Sequence, residues 1–596
     1  MFSHFFDNND RNAAPDKVHT PLRGIQLDGG LMAEVFQNNA NFLHKIDVDA
    51  ALYWFRVKAG VPAPGQPYRG HFEDDIKGQT AAQLLMGAGN ALRWAEDSGL
   101  RMLVDTVVEG IRSASEADGY LMAVPKEQFG TFEYPGYVRI WLTYGLYAAA
   151  LGGHPDALEM LRRWQDWFNA CDDLPIIKYL DLAYQGLVAS PFVYNTPVGK
   201  QDDIDTTIQY YQENWRLGQF IQRQRDAIHI RRQHGYEPHA HGTELEALEG
   251  YLDLYRATGK HFYLRAVQSA WEMYRRDWQH PGGGIVMCEY QEAHPGCAWL
   301  SPPIPYNELC CTVFWIGLNQ RLHRLFPAEE KYVSEIERSL YNVAFANQDG
   351  DNGIRYFAWI EGKKQPGGLV HCCCGAGTRL FGMLPEYLYS AGEDCLFVDI
   401  YSASTFAWQR AGGTVQVQTK TKMPYDGTIE ITVECEQAGD FILYLRIPAW
   451  TKSEVEVLVD DKALTGQPGQ YLPIALDWRG RHSIRFTLPF GWTQTLYQGA
   501  EQVRDDRVDP PVVYRRLALE YGPLLMAVAG AQETLEFAPN QVQRIHLDNR
   551  PEDFRDWLEA LEQPLHFKIC GHETYHLKPY FELRNGEPFS CYPLYR

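Results

Sequence analysis

The chain has 596 residues, 45% of them hydrophobic, and a formal net charge of −21 at pH 7. A chain of this length forms several domains, because single hydrophobic cores stop growing near about 250–300 residues. The acidic balance, without any run of Lys or Arg, argues against binding to nucleic acid, and no apolar stretch is long enough to predict a membrane span.

The N-terminus and the cysteine usage predict a reducing compartment. The first residues, MFSHFFDNNDRNAAPDK, lack the basic start and the apolar stretch of a secretory signal. Twelve cysteines, seven of them between Cys288 and Cys374, fit thiols kept for chemistry better than a disulfide framework. We therefore expect a cytoplasmic protein, with a processed, exported form as the alternative.

The first two thirds of the chain have helical periodicity. Apolar residues recur at spacings of three and four over 76–115, which predicts two helices closed by Asp118-Gly119. Similar patterns predict helices over 138–150, 155–170, 206–225, 244–258, 261–276, 306–325, 329–346 and 376–390. Helices in pairs without intervening strands predict a toroid of the (α/α)₆ type. A stacked solenoid is the alternative, but the sequence has no repeat of fixed period.

Near residue 394 the period changes to short β-branched and alternating stretches such as Ile429–Val433. Turn signals such as Asp426-Gly427 separate these stretches, which is typical of an antiparallel β-sandwich. Further on, Arg516–Val528 is predicted to be one strand with a break at Gly522-Pro523. We predict three domains: an (α/α)₆ toroid over 1–394, a β-sandwich over 395–495 and a smaller β-rich domain over 496–596.

Two cysteine-bearing motifs are the candidates for chemistry. Glu308-Leu309-Cys310 precedes one predicted helix, and Cys372-Cys373-Cys374 precedes another. Three consecutive side chains cannot all face one apolar core, so the triplet is not ordinary core packing. Thiolate and carboxylate both suit Zn²⁺, which prefers four tetrahedral ligands. The candidate zinc ligands are therefore Glu308, Cys310, Cys372 and Cys373.

The predicted surroundings of both motifs favour the negatively charged forms of their side chains. Both motifs lie at predicted helix N-termini, where the macrodipole favours thiolate and carboxylate. We expect the triplet in a loop in which Gly375 and Gly377 allow close backbone approach and positive φ. The same glycines suggest a phosphate-binding loop, but the preceding strand and the Lys-Ser/Thr ending are lacking.

Two other groups have both a structural and a functional interpretation. His239-Ala240-His241 stands just before a predicted helix, as either a solvated helix start or a substrate contact. Glu289 and Glu292 follow three glycines in a predicted loop, where single glutamates are usually solvated. Two such glutamates shortly before a metal-ligand motif favour a functional role, without establishing one.

The motif Tyr306–Cys310, followed by Cys372–Gly377, resembles glycoside hydrolase family 127, the β-L-arabinofuranosidases. The resemblance also covers the helix-rich first two thirds, Asp118–Leu121 and Gly522-Pro523-Leu524. In that family a Glu-x-Cys and a later Cys-Cys bind one zinc ion. The resemblance therefore implies Zn²⁺ at the four ligands named above, and a retaining, exo-acting hydrolase of β-L-arabinofuranosides or a related sugar.

The resemblance also implies individual roles. Cys372 corresponds to the nucleophile, and the acid/base glutamate of the family falls on Glu292, with Glu289 as the alternative. His241, with His239 as second choice, falls near a histidine that contacts the sugar. A His-Glu-Leu-Tyr-like stretch of the family reads Arg139–Leu142 here, which leaves the identity of the sugar open.

The residues themselves leave two other functions open. The zinc site can hold the toroid together while the β domains bind glycans, or the architecture can serve a polysaccharide lyase. Metal chelation separates the first from catalysis, and unsaturated products identify the second. In each case the expected partner is a small carbohydrate or oligosaccharide, not a nucleic acid or a membrane, and a homodimer is compatible with all three.

Overall fold

The computed structural model describes residues 14–129, 133–171, 184–211, 221, 242–285, 306–410, 413–436, 440–501, 512–530 and 545–595. Helices occupy the first part of the chain and sheets follow them, which confirms the predicted fold class. Among the described residues, no helix combines the length and the apolar character needed to cross a bilayer.

The helices of the described part follow one another with few strands between them. In chain order they are α1 (Gly30–Leu43), α2 (Val48–Ala59), α3 (His71–Asp74), α4 (Gln79–Ala91), α5 (Ser98–Ser113), α6 (Glu133–Leu151), α7 (Ala157–Asn169), α8 (Tyr184–Tyr194), α9 (Gln201–Tyr211), α10 (Gly242–Thr258), α11 (His261–Asp277), α12 (Leu309–Leu325), α13 (Lys331–Ser339), α14 (Phe345–Asn347) and α15 (Cys372–Gly382).

Alternate helices form a closed inner ring. In the order α4, α6, α8, α10, α12 and α15 each packs on the next, and α15 returns to α4. Helices α5, α7, α9, α11 and α13 each pack on the inner helix that precedes them. All residues of α4 are buried, as expected for a helix enclosed by others. This closed ring is the predicted (α/α)₆ toroid, and it excludes the open solenoid.

The inner helices run in the same direction. A side chain at Gly375, early in α15, would meet Gln83, early in α4, whereas Gly382 at the end of α15 lies against Asn90 near the end of α4. The N-termini of the inner helices therefore meet at one rim of the toroid, and their C-termini meet at the other. Any groups placed at inner-helix N-termini are brought to the same rim.

Four helices were missed by the periodicity: α1, α2, the four-residue α3 and α8. For α2 the local signals were present, since Asp47 caps its N-terminus through the Ala50 N–H and Gly60 follows its C-terminus with φ of 68°. The prediction over 206–225 is met by α9 as far as Tyr211, and its later part extends beyond the described residues.

The cysteine triplet is not in a loop. Helix α15 begins at Cys372, so the three thiols form its first turn. Neither Gly375 nor Gly377 has a positive φ, and that part of the expectation is wrong. A Cβ at Gly375 would lie 2.2 Å from Gln83, and one at Gly377 would lie 2.9 Å from Leu309. Both glycines therefore allow the close helix packing that brings the motifs together.

The strands belong mainly to the second half of the chain. They are β1 (Ile25–Leu27), β2 (Gln279–His280), β3 (Gly283–Ile285), β4 (Tyr306–Glu308), β5 (Phe357–Trp359), β6 (Glu361–Lys363), β7 (Tyr389–Ala391), β8 (Cys395–Val398), β9 (Ser404–Arg410), β10 (Gly413–Thr421), β11 (Thr428–Cys435), β12 (Asp440–Ile447), β13 (Val455–Val459), β14 (Lys462–Gly466), β15 (Gln470–Asp477), β16 (Gly480–Thr487), β17 (Trp492–Glu501), β18 (Val512–Tyr521), β19 (Leu524–Ala529), β20 (His546–Leu547), β21 (Leu558–Ala560), β22 (Phe567–Ile569), β23 (His576–Pro579), β24 (Pro588–Ser590) and β25 (Leu594–Tyr595).

Two sheets form the sandwich that follows the toroid. Their strand orders are β1-β9-β10-β11-β16-β13-β14 and β15-β12-β8-β7. Along β11 the buried residues Ile429, Ile431 and Val433 alternate with more exposed ones, which is the predicted period of two. One pair, β8 with β12, is parallel, so the sheets are not purely antiparallel. β1, far away in sequence, extends the larger sheet by pairing with β9.

A third sheet contains the last strands. The segment predicted as one strand over Arg516–Val528 is a hairpin of β18 and β19, because the chain reverses at Gly522, whose φ is 57°. Strand β6 of the helical half also joins this sheet, through β24. The predicted domain boundaries remain predictions.

A buried carboxyl group stands before α4. Glu73 accepts hydrogen bonds from the backbone N–H groups of Thr80 at 2.8 Å and Gly78 at 3.5 Å. Burial raises the pKa of Glu73 from its ordinary 4.5 to about 7, because loss of water disfavours the charge more than these bonds favour it. The folded state therefore keeps the Glu73 proton up to about pH 7, whereas the unfolded chain loses it near pH 4.5. The free energy of unfolding therefore falls as pH rises through that window.

Replacing Glu73 with glutamine is expected to remove this loss. Above pH 7 the variant should be more stable than the parent by up to about 3 kcal/mol, and below pH 4.5 the two should be alike. Urea unfolding at pH 5 and pH 8 measures the difference. Asp75→Asn, at an exposed carboxylate of the same segment, serves as the control. An equal effect of Glu73→Gln at both pH values would contradict the raised pKa.

Candidate metal centre

The first motif is held by a short strand pair at the rim. Glu308 ends β4 and is the N-cap residue of α12, and Cys310 is the second residue of that helix. β4 pairs with β5, which places Glu308 opposite Phe357. The Leu309 N–H also donates to the Tyr356 carbonyl at 3.1 Å. These backbone bonds fix both ligands relative to the segment that leads to the second motif.

The second motif is capped by a histidine. Nδ1 of His371 accepts from the Cys374 backbone N–H at 3.0 Å, and its Nε2 lies 3.0 Å from the Ile354 carbonyl. Since Nδ1 accepts and the carbonyl only accepts, Nε2 carries the ring proton. Burial lowers the pKa of His371, so the ring stays neutral and can cap α15. His371 was not among the residues that the sequence predicted to belong to the site.

The structure brings the four predicted ligands together. Their donor atoms all lie within 4.8 Å of one another. Glu308 Oε1 lies 3.6 Å from the sulfur of Cys372 and 3.7 Å from that of Cys373, and these two sulfurs are 3.9 Å apart. All four residues are buried, and Cys372 is the most exposed of them at 6%.

The spacing fits a tetrahedral ion. With Zn–S near 2.3 Å and Zn–O near 2.0 Å, tetrahedral ligand atoms lie about 3.5–3.8 Å apart. The distances of 3.6, 3.7 and 3.9 Å among Glu308, Cys372 and Cys373 match this edge length, and the Cys310 sulfur lies within 4.8 Å of each of these donor atoms. The donor set of three sulfurs and one carboxylate oxygen is one that suits zinc. The cluster can therefore hold a metal ion.

The thiols of the cluster differ in their affinity for protons. Burial raises the pKa of Cys372, but hydrogen bonds from Cys310, Cys373 and Tyr356 outweigh it and hold that pKa well below its ordinary value. Burial, together with the neighbouring sulfurs, raises the pKa of Cys310 and of Cys373. Among the three sulfurs Cys372 therefore loses its proton most readily, and it stands at a helix N-terminus, where negative charge is stabilised.

Tyr356 was missed by sequence reasoning. Its hydroxyl lies 3.3 Å from the Cys372 sulfur, and its ring centroid lies 5.1 Å from that of His371. A phenol next to a thiolate donates its proton to the hydrogen bond. Tyr356 belongs to no motif and immediately precedes β5, so only the pairing of β4 with β5 reveals its place.

The two remaining thiols of the motifs are not part of the ligand set. Cys374 is buried, and burial with the nearby Cys372 charge raises its pKa to about 12, so it remains a neutral thiol. The Cys311 sulfur lies 3.8 Å from the second oxygen of Glu308, within reach of a weak S–H donation. Cys311 thus contacts a ligand without being one.

Four predicted residues lie outside the described residues: Glu289, Glu292, His239 and His241. Their predicted roles stay predictions. Helix α10 begins directly after His241, and α12 begins shortly after the segment that contains both glutamates. Both helices start at the rim that carries the cysteine cluster.

Arg139, which stands where the resembling family has a histidine-bearing stretch, points to a structural role. Its guanidinium donates to Gln165 Oε1 at 2.8 Å and to Ser190 Oγ at 2.7 Å. It also lies over the Phe168 ring, 3.4 Å from the centroid. These contacts join α6 to α7 and α8.

Family models match most of the chain. The model of the β-L-arabinofuranosidase GH127 catalytic domain matches residues 25–386, and that of the GH127 middle domain matches residues 395–490. A curated relative, the non-reducing end β-L-arabinofuranosidase of Bifidobacterium longum subsp. longum, is 24% identical over 181 residues. That match covers 27% of this chain and 27% of the relative, about a quarter of its length.

Solved structures are similar over nearly the whole chain. A GH127 β-L-arabinofuranosidase from Geobacillus stearothermophilus T6 gives a TM-score of 0.71 at 18% identity, covering 96% of this chain and 100% of that one. Another GH127 β-arabinofuranosidase gives a TM-score of 0.70 at 17% identity, covering 98% of this chain and 99% of that one. These likenesses confirm the architecture of a helical toroid followed by β domains.

Proposed function

This chain belongs to glycoside hydrolase family 127, and from that premise we propose that it is a retaining glycosidase with Cys372 as its nucleophile. The substrate class is a β-L-arabinofuranoside or a closely related glycoside, cleaved from the non-reducing end. The observation that carries the proposal is the position of the Cys372 sulfur. It stands at the N-terminus of an inner helix, lies 3.6 Å from Glu308 and 3.3 Å from the Tyr356 hydroxyl, and has a pKa held well below its ordinary value by its hydrogen bonds.

We propose Zn²⁺ as the ion of the cluster, held by Glu308, Cys310, Cys372 and Cys373. When bound, it supplies positive charge that keeps the thiols deprotonated at neutral pH. The ligand distances support this choice, and so does the chemistry of three sulfurs with one carboxylate.

In the first half-reaction the Cys372 thiolate attacks the anomeric carbon of the sugar. A C–S bond forms with inversion, and the glycosidic C–O bond breaks. Glu292 gives its proton to the departing oxygen, so the leaving group departs as a neutral alcohol. The product is a thioglycosyl enzyme, with Glu292 now a carboxylate.

In the second half-reaction Glu292 takes a proton from water, and the water oxygen attacks the same carbon. The C–S bond breaks with a second inversion, which returns Cys372 as a thiolate and gives overall retention. In both steps the chain supplies a sulfur of low basicity and an acid that reverses its role.

The proposed function is tested by turnover on synthetic aryl and alkyl glycosides. The panel pairs both anomers of L-arabinofuranose with L-arabinopyranose and D-sugar controls, and NMR identifies the first anomer released. We expect hydrolysis of the β-L-furanoside with retained configuration. An inverted product, an unsaturated product, or saturable binding of every glycoside without turnover would each rule out the proposed reaction.

Tyr356→Phe tests the contact at the nucleophile. Loss of one charge-assisted hydrogen bond, about 1.5 kcal/mol, is expected to lower kcat about tenfold, because the thiolate loses a donor that fixes its position. The zinc content should stay the same, which metal analysis checks. Tyr444→Phe makes the same change in the β-sandwich and should leave kcat as in the parent. A Tyr356→Phe enzyme with parental kcat would contradict a role for this hydroxyl.

A further inference from the structure

A cavity lies at the rim of the toroid opposite the cysteine cluster. It has a volume of about 300 Å³, and residues near the C-terminal ends of all six inner helices or just beyond them line it: Asn90, Leu151, Thr196, Arg256, Arg321 and Met383. Helix α15 contributes to both ends of the toroid, since its 11 residues span about 16 Å at 1.5 Å per residue. This cavity is therefore separate from the proposed active site.

The cavity is rich in arginine. Arg93, Arg256, Arg321, Arg324 and Arg379 line it, together with the carboxylates of Asp253 and Glu386. One explanation is that basic side chains compensate the negative ends of the inner-helix dipoles. Four of the arginines also have a second structural role, because each of them forms an ion pair with an acidic residue.

In these four ion pairs the guanidinium nitrogen lies within 3 Å of a carboxylate oxygen. Arg93 lies 2.6 Å from Glu386, Arg321 lies 2.9 Å from Glu249, and Arg256 lies 2.9 Å from Asp16. Arg324 also pairs with Asp16. The acidic residues around the cavity are thus already engaged with these four arginines.

Arg379 is different. Its guanidinium forms no ion pair or hydrogen bond with the residues that the structure describes. The guanidinium lies over the Tyr144 ring at 4.1 Å from the centroid, and its charge favours the ionised form of the buried Glu249 carboxyl group. Two further donors around the cavity, Arg93 Nη2 and Arg324 Nε, are buried and have no hydrogen-bond partner in the described part of the chain. Unsatisfied buried donors are rare in folded proteins, because each costs about 1–3 kcal/mol.

The cavity also carries a surplus of positive charge. Burial lowers the pKa of Arg324, and repulsion from Arg256 and Arg321 lowers it further. Burial and repulsion from Arg324 likewise lower the pKa of His19, another lining residue. An anion in the cavity would relieve this repulsion.

The cavity also has an aromatic part of its lining. Tyr144, Tyr147 and Phe192 line it, with the Phe192 ring edge-on to both tyrosines at centroid distances of 4.6 and 5.3 Å. Such rings present apolar surface to the carbon skeleton of a ligand. The volume lies at the lower end of small-molecule sites, which range over about 300–1,000 Å³.

We propose that this cavity binds a small phosphate-bearing molecule of sugar size. A terminal phosphate offers three acceptor oxygens, and the planar guanidinium of Arg379 can pair with phosphate through two bonds at once. The aromatic part of the lining would contact the sugar portion. The proposal concerns a second site and does not depend on the reaction at Cys372.

The test is calorimetric titration of the full chain with ribose 5-phosphate, inorganic phosphate and free ribose at constant ionic strength. We expect saturable binding of ribose 5-phosphate, weaker binding of inorganic phosphate and none of ribose. Absence of saturable binding, or binding of free ribose as tight as that of its phosphate, would overturn the proposal. Equal affinities for inorganic phosphate and the sugar phosphate would overturn the assignment of a sugar-sized ligand.

Two variants locate the site. Arg379→Gln removes the guanidinium that has no ion pair in the described part of the chain, and it is expected to weaken ribose 5-phosphate binding at least tenfold; a cooperative thermal transition checks that the variant is folded. Leu22→Glu places a carboxylate at a lining residue that is 48% exposed, so it should weaken binding without disturbing the core. Arg485→Gln, at an exposed arginine of the β-sandwich, is the matched control. Parental affinity in both cavity variants would place the ligand elsewhere and refute the assignment.

Discussion

Cys372→Ser is expected to lower kcat/KM at least about 10³-fold, a loss of about 4 kcal/mol of transition-state stabilisation. A serine hydroxyl is far less acidic than a thiol, so the same helix N-terminus and the same neighbours do not produce an anion at that position. The measurement is kcat/KM on the best β-L-arabinofuranoside of the panel, with folding checked by the thermal transition.

Because Cys372 is both proposed nucleophile and proposed ligand, the experiment separates the two roles. Cys310→Ser changes a ligand of the same cluster without touching the nucleophile, so added zinc should restore part of its activity. Cys372→Ser should stay inactive at every zinc concentration. Cys374 lies two residues after Cys372 and outside the cluster, so the kcat/KM of Cys374→Ser should remain within a few-fold of the parent value. Near-parental turnover by zinc-loaded Cys372→Ser would remove the nucleophile assignment.

The cysteine cluster was the part of the site most accessible from sequence. Glu308 and Cys310 share one helix start, and Cys372 and Cys373 share another, so each half is specified by local spacing. Their convergence follows from the toroid, which brings the N-termini of inner helices to one rim. The sequence therefore predicted the set of residues once the architecture was correctly predicted.

The immediate environment of the cluster was not accessible in the same way. Tyr356 reaches Cys372 only because two three-residue strands pair, and such short strands carry no periodic signal. The glycines after the triplet were predicted to lie in a loop and to allow positive φ and close backbone approach, whereas they lie within the helix and allow close packing against Gln83 and Leu309. The local sequence shows that a glycine can adopt positive φ or allow a close contact, but tertiary packing decides which of the two occurs.

The sheets show the same limit. The alternating residues of β11 were predicted correctly because one side of the strand faces the core and the other faces away from it. β1 was not predicted, because its three residues pair with β9, a strand far along the chain. In this pairing Leu27 lies opposite Ser404. Long-range pairing of this kind is set by the finished sandwich and leaves no mark in the short segment itself.

Glu292→Gln is expected to lower kcat/KM about 10²–10⁴-fold on alkyl glycosides, the usual contribution of general acid–base catalysis. A glutamine cannot protonate a departing alkoxide. An aryl glycoside whose phenolate leaves without a proton should therefore lose much less in the first half-reaction. Glu289→Gln is the matched control in the same segment, and it should behave as the parent. If Glu289→Gln suffers the loss instead, the acid/base is Glu289, and if neither variant does, the acid lies elsewhere.

The same variant also tests the order of events at Cys372. With an aryl glycoside, the first half-reaction still proceeds but water is no longer activated, so the glycosyl group should accumulate on sulfur as a burst followed by slow turnover. Mass spectrometry of the acid-quenched enzyme should find one pentosyl adduct on the peptide that contains Cys372. Azide, which attacks without a general base, should restore turnover and give a glycosyl azide of retained configuration. A Glu292→Gln enzyme that releases product without a burst, an adduct or azide rescue would contradict a covalent intermediate at this cysteine.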